Sequence, residues 1–195
     1  MLVIVQARSN SSRFPKKILH KIYGKTLIEH VISKISKSKN ISNIVVATSS
    51  LKSDQSLVSI LKKNKILYFR GGLKNVAKRL LSVAEKYNKK YFIRINADSP
   101  LIDFRLIDHS IKILKNSYKK KYDIITNVFP RSFPSGQSVE IIRTAILKKN
   151  IKKMNKIELE HVTSFFYKNY PKFLIKNFST KKKIINIKLS VDTKK

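Results

Sequence analysis

Cysteine is absent from this sequence of 195 residues, and no long apolar run occurs in it. Without cysteine the chain can form neither a disulfide scaffold nor a cysteine-based zinc site. A membrane-spanning helix needs roughly 20 apolar residues, and no run approaches that length. The short apolar start at residues 1–6 has no basic lead of the kind that signal peptides carry. We therefore expect a cytoplasmic protein without membrane insertion.

Acidic residues are scarce. Eleven acidic side chains stand against 43 basic ones, which gives a formal net charge of +32. The lysines are spread along the whole chain, and isoleucine and asparagine are also abundant, as the codons of an AT-rich genome would produce. Codon-driven surface charge and a true attraction for polyanions both stay open as explanations. No recognition helix, zinc finger or aromatic RNA-binding motif accompanies the charge, so a nucleic-acid partner is not predicted.

Three common catalytic signatures are missing as well. The chain has no GxxxxGK[ST] phosphate loop, no HExxH zinc motif and no GxSxG nucleophile elbow. These absences argue against a Walker-type nucleotide site, a zinc peptidase and a hydrolase with that elbow.

Strand and helix patterns alternate along the first 128 residues. Apolar, strand-like runs occur at 2–6, 44–48, 66–69, 91–95 and 122–126. Helix caps are expected at Thr26 with Glu29 as a capping box, at Ser53 or Asp54, and at Asp103. Four strand–helix units in succession predict one α/β domain over residues 1–195, with a mostly parallel central sheet and helices on both faces. Later, the pattern predicts a strand at 139–142, a helix over 157–169 and strands at 173–177 and 184–191.

The loop after the first strand, residues 7–17, is the first candidate site. It carries three serine hydroxyls, two arginines and two lysines. Ligands of open α/β sheets bind beyond the carboxyl ends of the strands, and these groups bind phosphate oxygens and neutralise their charge. The loop is therefore either a phosphate-binding loop or an ordinary basic loop of a basic protein.

Two aspartates follow strands and form the second candidate site. Asp98 follows the fourth strand, and Asp192 follows the last one. Carboxylates at strand ends can hold Mg²⁺, whereas a turn residue and a residue of a frayed chain end are the structural alternatives. If the last strand returns beside the middle ones, both carboxylates converge on a cavity lined by Arg8, Arg13 and Lys17.

Residues 5–17 resemble the signature of the sugar-acid cytidylyltransferases, Q/P-A-R-x-G-S-x-R-x-P-x-K. Later segments resemble, in the same order, the branch of this family named after spore-coat polysaccharide biosynthesis protein F. These segments are residues 69–71 with Arg79, then 96–103, 130–140, 160–163 and 191–193. The likeness covers essentially the whole chain, and its specificity lies in the order and spacing of motifs that are individually weak.

The resemblance implies a three-layer fold like that of the nucleotide-diphospho-sugar transferases. It also implies an enzyme that converts CTP and a sugar acid into a CMP-sugar and pyrophosphate for surface polysaccharide biosynthesis, with Mg²⁺ as cofactor. The nucleotide-binding residues that it implies are Ala7, Arg8, Ser11, Ser12, Arg13, Lys17 and Arg79. The catalytic residues that it implies are Arg13, Lys17 and Asp98, and the metal ligands are Asp98 and Asp192. The residues that it implies for contact with the sugar acid are Arg131, Glu140 and His161.

The sequence departs from the family pattern in several places. Asn10, Lys16 and Ala97 stand where the family has glycine, and Ser138 stands where the branch has an aspartate. The last departure puts the identity of the sugar in question. The family continues past residue 193 into a terminal helix, so the chain is expected to be truncated at its C-terminus.

Two other functions stay open. A glycosyltransferase of related fold would use a nucleotide sugar, but such enzymes carry an Asp-x-Asp motif where this chain has the single Asp98. An inactive family member that binds polyanions through its charge is the second alternative. The sequence leaves both a monomer and a homodimer open.

Overall fold

Strands alternate with helices through most of the chain in a computed structural model, which describes residues 1–10, 14–117, 120–181 and 187–192. Within these residues the strands are β1 (Leu2–Gln6), β2 (Lys21–Ile22), β3 (Lys25–Thr26), β4 (Asn43–Ser49), β5 (Leu67–Gly71), β6 (Tyr91–Asn96), β7 (Ile124–Thr126), β8 (Glu140–Arg143) and β9 (Ile175–Asn177). The α-helices are α1 (Leu27–Ile35), α2 (Gln55–Lys63), α3 (Val76–Lys86), α4 (Phe104–Lys115), α5 (Thr144–Asn150), α6 (Lys156–Glu160) and α7 (Ser164–Lys168).

The central sheet is mostly parallel, with the strand order β5-β4-β1-β6-β8-β7-β9. β1 pairs in parallel with both β4 and β6, and β5 pairs in parallel with β4. β8 runs antiparallel to its neighbours β6 and β7, and β9 is parallel to β7. The predicted α/β class with a mostly parallel sheet is therefore confirmed, and β8 is the strand that reverses direction within the described part of the sheet.

Helices cover both faces of the sheet, which gives three layers. Successive side chains of a strand point to opposite faces, and β1 shows this directly. Val3 and Val5 lie in a core that also contains the apolar residues of α1, α2 and α4. Leu2 and Ile4 lie in the other core, with those of α3, α5 and α7. Across the described ranges, no helix has both the length and the apolar character needed to cross a membrane.

The expected caps are partly confirmed. Thr26 and Glu29 form the capping box at the start of α1, and the Asp103 side chain accepts a hydrogen bond from the amide of Arg105 at the start of α4. The prediction for α2 is wrong, because its N-cap residue Asp54 makes no capping hydrogen bond with its side chain. That carboxylate binds other groups, which are described below.

The late part of the chain differs from the sequence pattern in two respects. The single helix predicted over 157–169 is two short helices, α6 and α7, because the backbone leaves the helical region at His161, with φ −101° and ψ 51°. The strand predicted at 184–191 is not present in the described residues 187–191, where Lys188 makes an isolated bridge with Ser135. Residues 184–186 lie outside the described part of the chain.

Gly136 lies in close contact with the segment that carries Asp192. Its φ of +90° belongs to the left-handed region, and a Cβ built there would lie 2.5 Å from the carbonyl carbon of Leu189. The amide of Leu189 donates a hydrogen bond to the carbonyl of Ser135 at 2.8 Å, so the two backbones run against each other. Only glycine allows both the backbone conformation and this close approach.

We expect Gly136→Ala to lower the free energy of unfolding by about 1–3 kcal/mol from backbone strain alone, with a further loss from the contact with Leu189. Urea denaturation measures the change. Gly72→Ala is the matched control, because a Cβ there meets nothing within 4 Å. Equal stability of the two variants would contradict this account of Gly136.

Candidate active site

The carboxyl ends of β1 and β6 meet at one edge of the sheet, since the two strands are adjacent and parallel. A cavity of about 220 Å³ opens at this edge. The predicted site residues that line it are Ala7, Arg8, Lys17, Asp98 and His161. This cavity, called the first cavity below, therefore gathers groups from the 7–17 loop, from the end of β6 and from the end of α6.

Lys17 brings the two predicted metal ligands together. Its Nζ lies 3.0 Å from Oδ2 of Asp98 and 3.7 Å from Oδ1 of Asp192, and it donates a hydrogen bond to the carbonyl of Val191 at 2.9 Å. The amide of Val191 in turn donates to the carbonyl of Asp98 at 2.9 Å. Because both carboxylates reach one nitrogen, they converge on one point although 94 positions separate them in the sequence.

The donor set at this point suits a hard divalent cation. Mg²⁺ is usually held by one or two carboxylates, with water and phosphate oxygens completing its coordination. Asp98 and Asp192 supply two carboxylates, and no cluster of three acidic or histidine ligands exists in the described residues. A hydrogen bond from Lys188 is the main cause that lowers the pKa of Asp192, so that carboxyl is ionised at neutral pH.

Arg8 is held across the first cavity by Glu160. Its Nη2 lies 2.7 Å from Oε1 of Glu160, and both side chains are partly exposed. Glu160 ends α6, which places it opposite the 7–17 loop. The sequence motif contained Glu160, but its pairing with Arg8 was not predicted, because 152 positions separate the two residues.

Arg79 is buried with part of its guanidinium unpartnered. Its Nη1 donates to the carbonyls of Gly72 at 2.6 Å and Leu73 at 3.3 Å, while Nε and Nη2 have no partner among the described residues. Burial lowers the pKa of Arg79 to about 10, and the negative charge of Asp54 opposes this shift. Buried, unpaired N–H groups are costly, so these two are candidates for contact with a ligand.

A second cavity of about 220 Å³ adjoins the first, since Arg94, Asn96 and His161 line both. It also contains Arg131 and Glu140, so the three residues predicted to contact a substrate share it. Arg131 donates to the hydroxyl of Ser138 at 3.1 Å and to the carbonyl of Pro134 at 3.4 Å.

The Glu140 carboxylate is committed to an internal network. It forms an ion pair with Arg94 and accepts a hydrogen bond from the Tyr167 hydroxyl at 2.7 Å, and Glu140 is 4% exposed. Burial, and then the charge of Glu140, raise the pKa of Tyr167 well above its usual range, so the phenol stays a donor. Sequence reasoning missed Arg94, although a charged residue inside an apolar strand is a signal for a buried ion pair.

Three predicted nucleotide-binding residues, Ser11, Ser12 and Arg13, lie outside the described part of the chain. Their roles, including the proposed catalytic role of Arg13, stay predictions. The same holds for Thr193 in the last motif.

Comparison with known proteins shows the family to which the chain belongs. A family model described as cytidylyltransferase matches residues 2–193. An uncharacterized protein of Methanocaldococcus jannaschii is 30% identical over 85% of this chain and 66% of its own length. The spore coat polysaccharide biosynthesis protein SpsF of Bacillus subtilis is 29% identical over 88% of this chain and 71% of its own. The 3-deoxy-manno-octulosonate cytidylyltransferase of Rickettsia prowazekii is 32% identical over 65% of this chain and 50% of its own. The matches thus span about half to 71% of these relatives.

Two solved structures show the same fold. A cytidylyltransferase from Leptospira borgpetersenii superposes with a TM-score of 0.93 at 28% identity, covering 98% of this chain and 80% of that one. A CMP:2-keto-3-deoxy-manno-octonic acid synthetase complexed with CTP superposes with a TM-score of 0.71 at 16% identity, covering 98% of this chain and 92% of that one. The second likeness concerns the fold alone.

We expect Glu140→Ala to cost about 3–5 kcal/mol of unfolding free energy, because it leaves the Arg94 guanidinium buried without its counterion. Chemical denaturation measures the loss. Glu85→Ala is the control, since Glu85 pairs with Lys148 at an exposed position and such pairs contribute less than about 1 kcal/mol. A loss no greater than that of the control would show that the Arg94–Glu140 pair is not structurally required.

Proposed function

The chain belongs to the cytidylyltransferase family, and on that premise we propose that it transfers CMP from CTP to a hydroxyl of a sugar acid and releases pyrophosphate. The observation that carries the proposal is the convergence of Asp98 and Asp192 on Lys17, beside Arg8, at the carboxyl edge of the sheet. We place the product in surface polysaccharide biosynthesis and the reaction in the cytoplasm. The likeness to the spore coat polysaccharide biosynthesis protein SpsF supports the polysaccharide role.

The reaction asks the protein mainly to position charges. A sugar hydroxyl loses its proton to water and attacks the α-phosphorus of CTP in line. The bond from that phosphorus to the oxygen that bridges it to the β-phosphorus breaks, and pyrophosphate leaves with this oxygen and its negative charge. Lys17 and Arg8 line the first cavity and would neutralise the triphosphate. Arg79 lines neither cavity, but its Nε and Nη2 atoms, which have no partner among the described residues, make it our candidate for contact with the nucleoside part. Mg²⁺ held by Asp98 and Asp192 would neutralise phosphate oxygens and lower the pKa of the attacking hydroxyl.

The second cavity is our candidate for the sugar acid. It adjoins the first through Arg94, Asn96 and His161, so a substrate bound there would face the nucleotide. The Arg131 guanidinium donates to the neutral oxygens of Pro134 and Ser138. An arginine that no carboxylate neutralises within the described residues suits the carboxylate of a sugar acid, which it can bind through two parallel hydrogen bonds.

Pyrophosphate release from CTP with Mg²⁺ and a panel of sugar acids tests the proposal. We expect turnover with CTP in preference to ATP and GTP, and a loss of about 10²–10³-fold in Asp98→Asn. Asp108→Asn is the matched control, because that carboxylate binds Ser38 and Asn40 away from both cavities. Unchanged turnover in Asp98→Asn would refute the metal assignment. An equal rise in the melting temperature of the protein with CTP, ATP and GTP would instead support binding of polyanions by charge alone.

The position of Lys17 allows a second test. Its ammonium occupies the space between the two carboxylates, so it competes with any cation that they would bind. We expect Lys17→Met to bind Mn²⁺ alone about threefold to tenfold more tightly and to bind CTP about tenfold more weakly. Electron paramagnetic resonance of free Mn²⁺ and calorimetry with CTP measure the two changes. Lys148→Met, at a remote surface pair, should change neither affinity. A parallel loss of both affinities in Lys17→Met would contradict the competition.

A further inference from the structure

The Asp54 carboxylate is fully buried and gathers four hydrogen bonds from two segments of the chain. Its Oδ1 accepts from the amide of Ser9 at 2.6 Å. Its Oδ2 accepts from the hydroxyl of Thr48 at 2.9 Å, and from both the amide and the hydroxyl of Ser49. Asp54 therefore joins the start of the 7–17 loop to the carboxyl end of β4.

Ser9 is the point where that loop closes on itself. Its carbonyl accepts a hydrogen bond from the amide of Lys16 at 2.8 Å, and Ser9 is 2% exposed. Arg8 precedes this closure and Lys17 follows it, so the position of Ser9 sets the direction from which both cations enter the first cavity. We call the hydrogen-bonded pair Ser9 and Lys16 the neck of the loop, and the contact between Asp54 and Ser9 fixes its position.

Asp54 also acts through its charge. Burial raises the pKa of the Asp54 carboxyl, but hydrogen bonds from Ser49, Ser9 and Thr48 outweigh burial and bring the pKa below its usual value. The group is therefore an anion at neutral pH. That anion favours the charged form of Arg79, whose guanidinium is otherwise disfavoured by burial. One buried negative charge thus serves the neck of the loop and a buried arginine together.

We infer that Asp54 is a positioning residue of the nucleotide site. Its carboxylate is fully buried and lines neither cavity, so it acts through the position of Ser9, next to Arg8 of the first cavity, rather than by touching the nucleotide. The inference rests on the proposed binding of CTP at the first cavity. It goes beyond that function because it holds that Asp54, at the start of α2, fixes the position of Ser9 in the 7–17 loop.

Asp54→Asn is the main test. The amide cannot accept from the backbone N–H groups of both Ser9 and Ser49, because only one of its two atoms is an acceptor. We expect the Kd and the KM for CTP to rise about tenfold or more, while kcat at saturating CTP changes less than about threefold, since no group that touches the reacting atoms is altered. Amide hydrogen exchange at Ser9 and Lys16 should quicken, because one of the two acceptors is lost and the remaining one no longer carries the charge that strengthens its hydrogen bond.

Two control variants separate positioning from stability. Asp123→Asn alters another buried carboxylate that accepts from a backbone amide, that of Leu174, and that pairs with Arg143. Thr48→Val removes one hydrogen bond from Asp54 but keeps the one from Ser9. Both should lower the melting temperature and leave the Kd for CTP and the exchange at Ser9 unchanged. An Asp54→Asn protein that behaves like these controls would overturn the inference.

Hydrogen exchange also keeps the inference testable by itself. If the wild-type chain binds no CTP, the proposed function fails, yet the exchange at Ser9 and Lys16 still decides whether Asp54 fixes the neck. If Asp54→Asn does not fold, the wild-type chain gives the answer. Its Ser9 and Lys16 amides should then exchange as slowly as those of β1. Faster exchange there would show that the neck opens locally despite Asp54, against the inference.

Discussion

Each of the eleven carboxylates in this chain has a partner inside the protein. Six form ion pairs with an arginine or with a lysine other than Lys17, two converge on Lys17, and three bind amides or hydroxyls. In chain order they are Glu29, Asp54, Glu85, Asp98, Asp103, Asp108, Asp123, Glu140, Glu158, Glu160 and Asp192. With 43 basic residues, the chain therefore has no acidic group left to balance its surface charge. The few anions fix local structure, and the excess cations face solvent.

Because of this constraint, a ligand that binds at the candidate site must replace the carboxylate partners of the cations there. Arg8 and Lys17, two of the cations that line the first cavity, are paired with Glu160 and Asp98. An incoming triphosphate would offer these cations a stronger set of charge-assisted hydrogen bonds, and the released carboxylates would then need another cation. The positive field of the whole chain favours the approach of such an anion over a distance of about 8 Å at physiological salt.

The sequence predicted the elements whose signals are local. The apolar runs at 2–6 and 91–95, and the capping box at Thr26, rest on periodicity and on contacts within one turn. The break between α6 and α7 comes at His161, and no glycine or proline marks it within 157–169. Likewise, nothing within residues 140–143 indicates that β8 runs antiparallel to β6 and β7.

The chemistry of the site divides in the same way. The convergence of Asp98 and Asp192 was predicted on a premise that is only half right. Asp98 follows β6, but the described residues 187–191 before Asp192 form no strand, and backbone hydrogen bonds of Leu189 and Val191 hold that segment in place. The network around Glu140 was not predicted, because its members Arg94 and Tyr167 come from separate elements. Asp54 was predicted as a helix cap, because an aspartate directly before a helix is typical of an N-cap. A buried aspartate that accepts hydrogen bonds from other segments gives the same sequence pattern.

Lys17 links the two proposed binding events. In the ligand-free chain its ammonium stabilises both carboxylates, so a divalent cation that arrives alone must displace it without giving it a new partner. A bound triphosphate would offer the ammonium phosphate oxygens and so release its hold on both carboxylates, of which Asp192 would keep its pair with Lys188. On the proposed function, nucleotide and metal therefore favour each other's binding, and by thermodynamic linkage the factor is the same in both directions. The shortage of acidic residues strengthens this coupling. Besides Asp98, the first cavity is lined by one carboxylate, that of Glu160, and Glu160 already pairs with Arg8, so the displaced ammonium has no free carboxylate there.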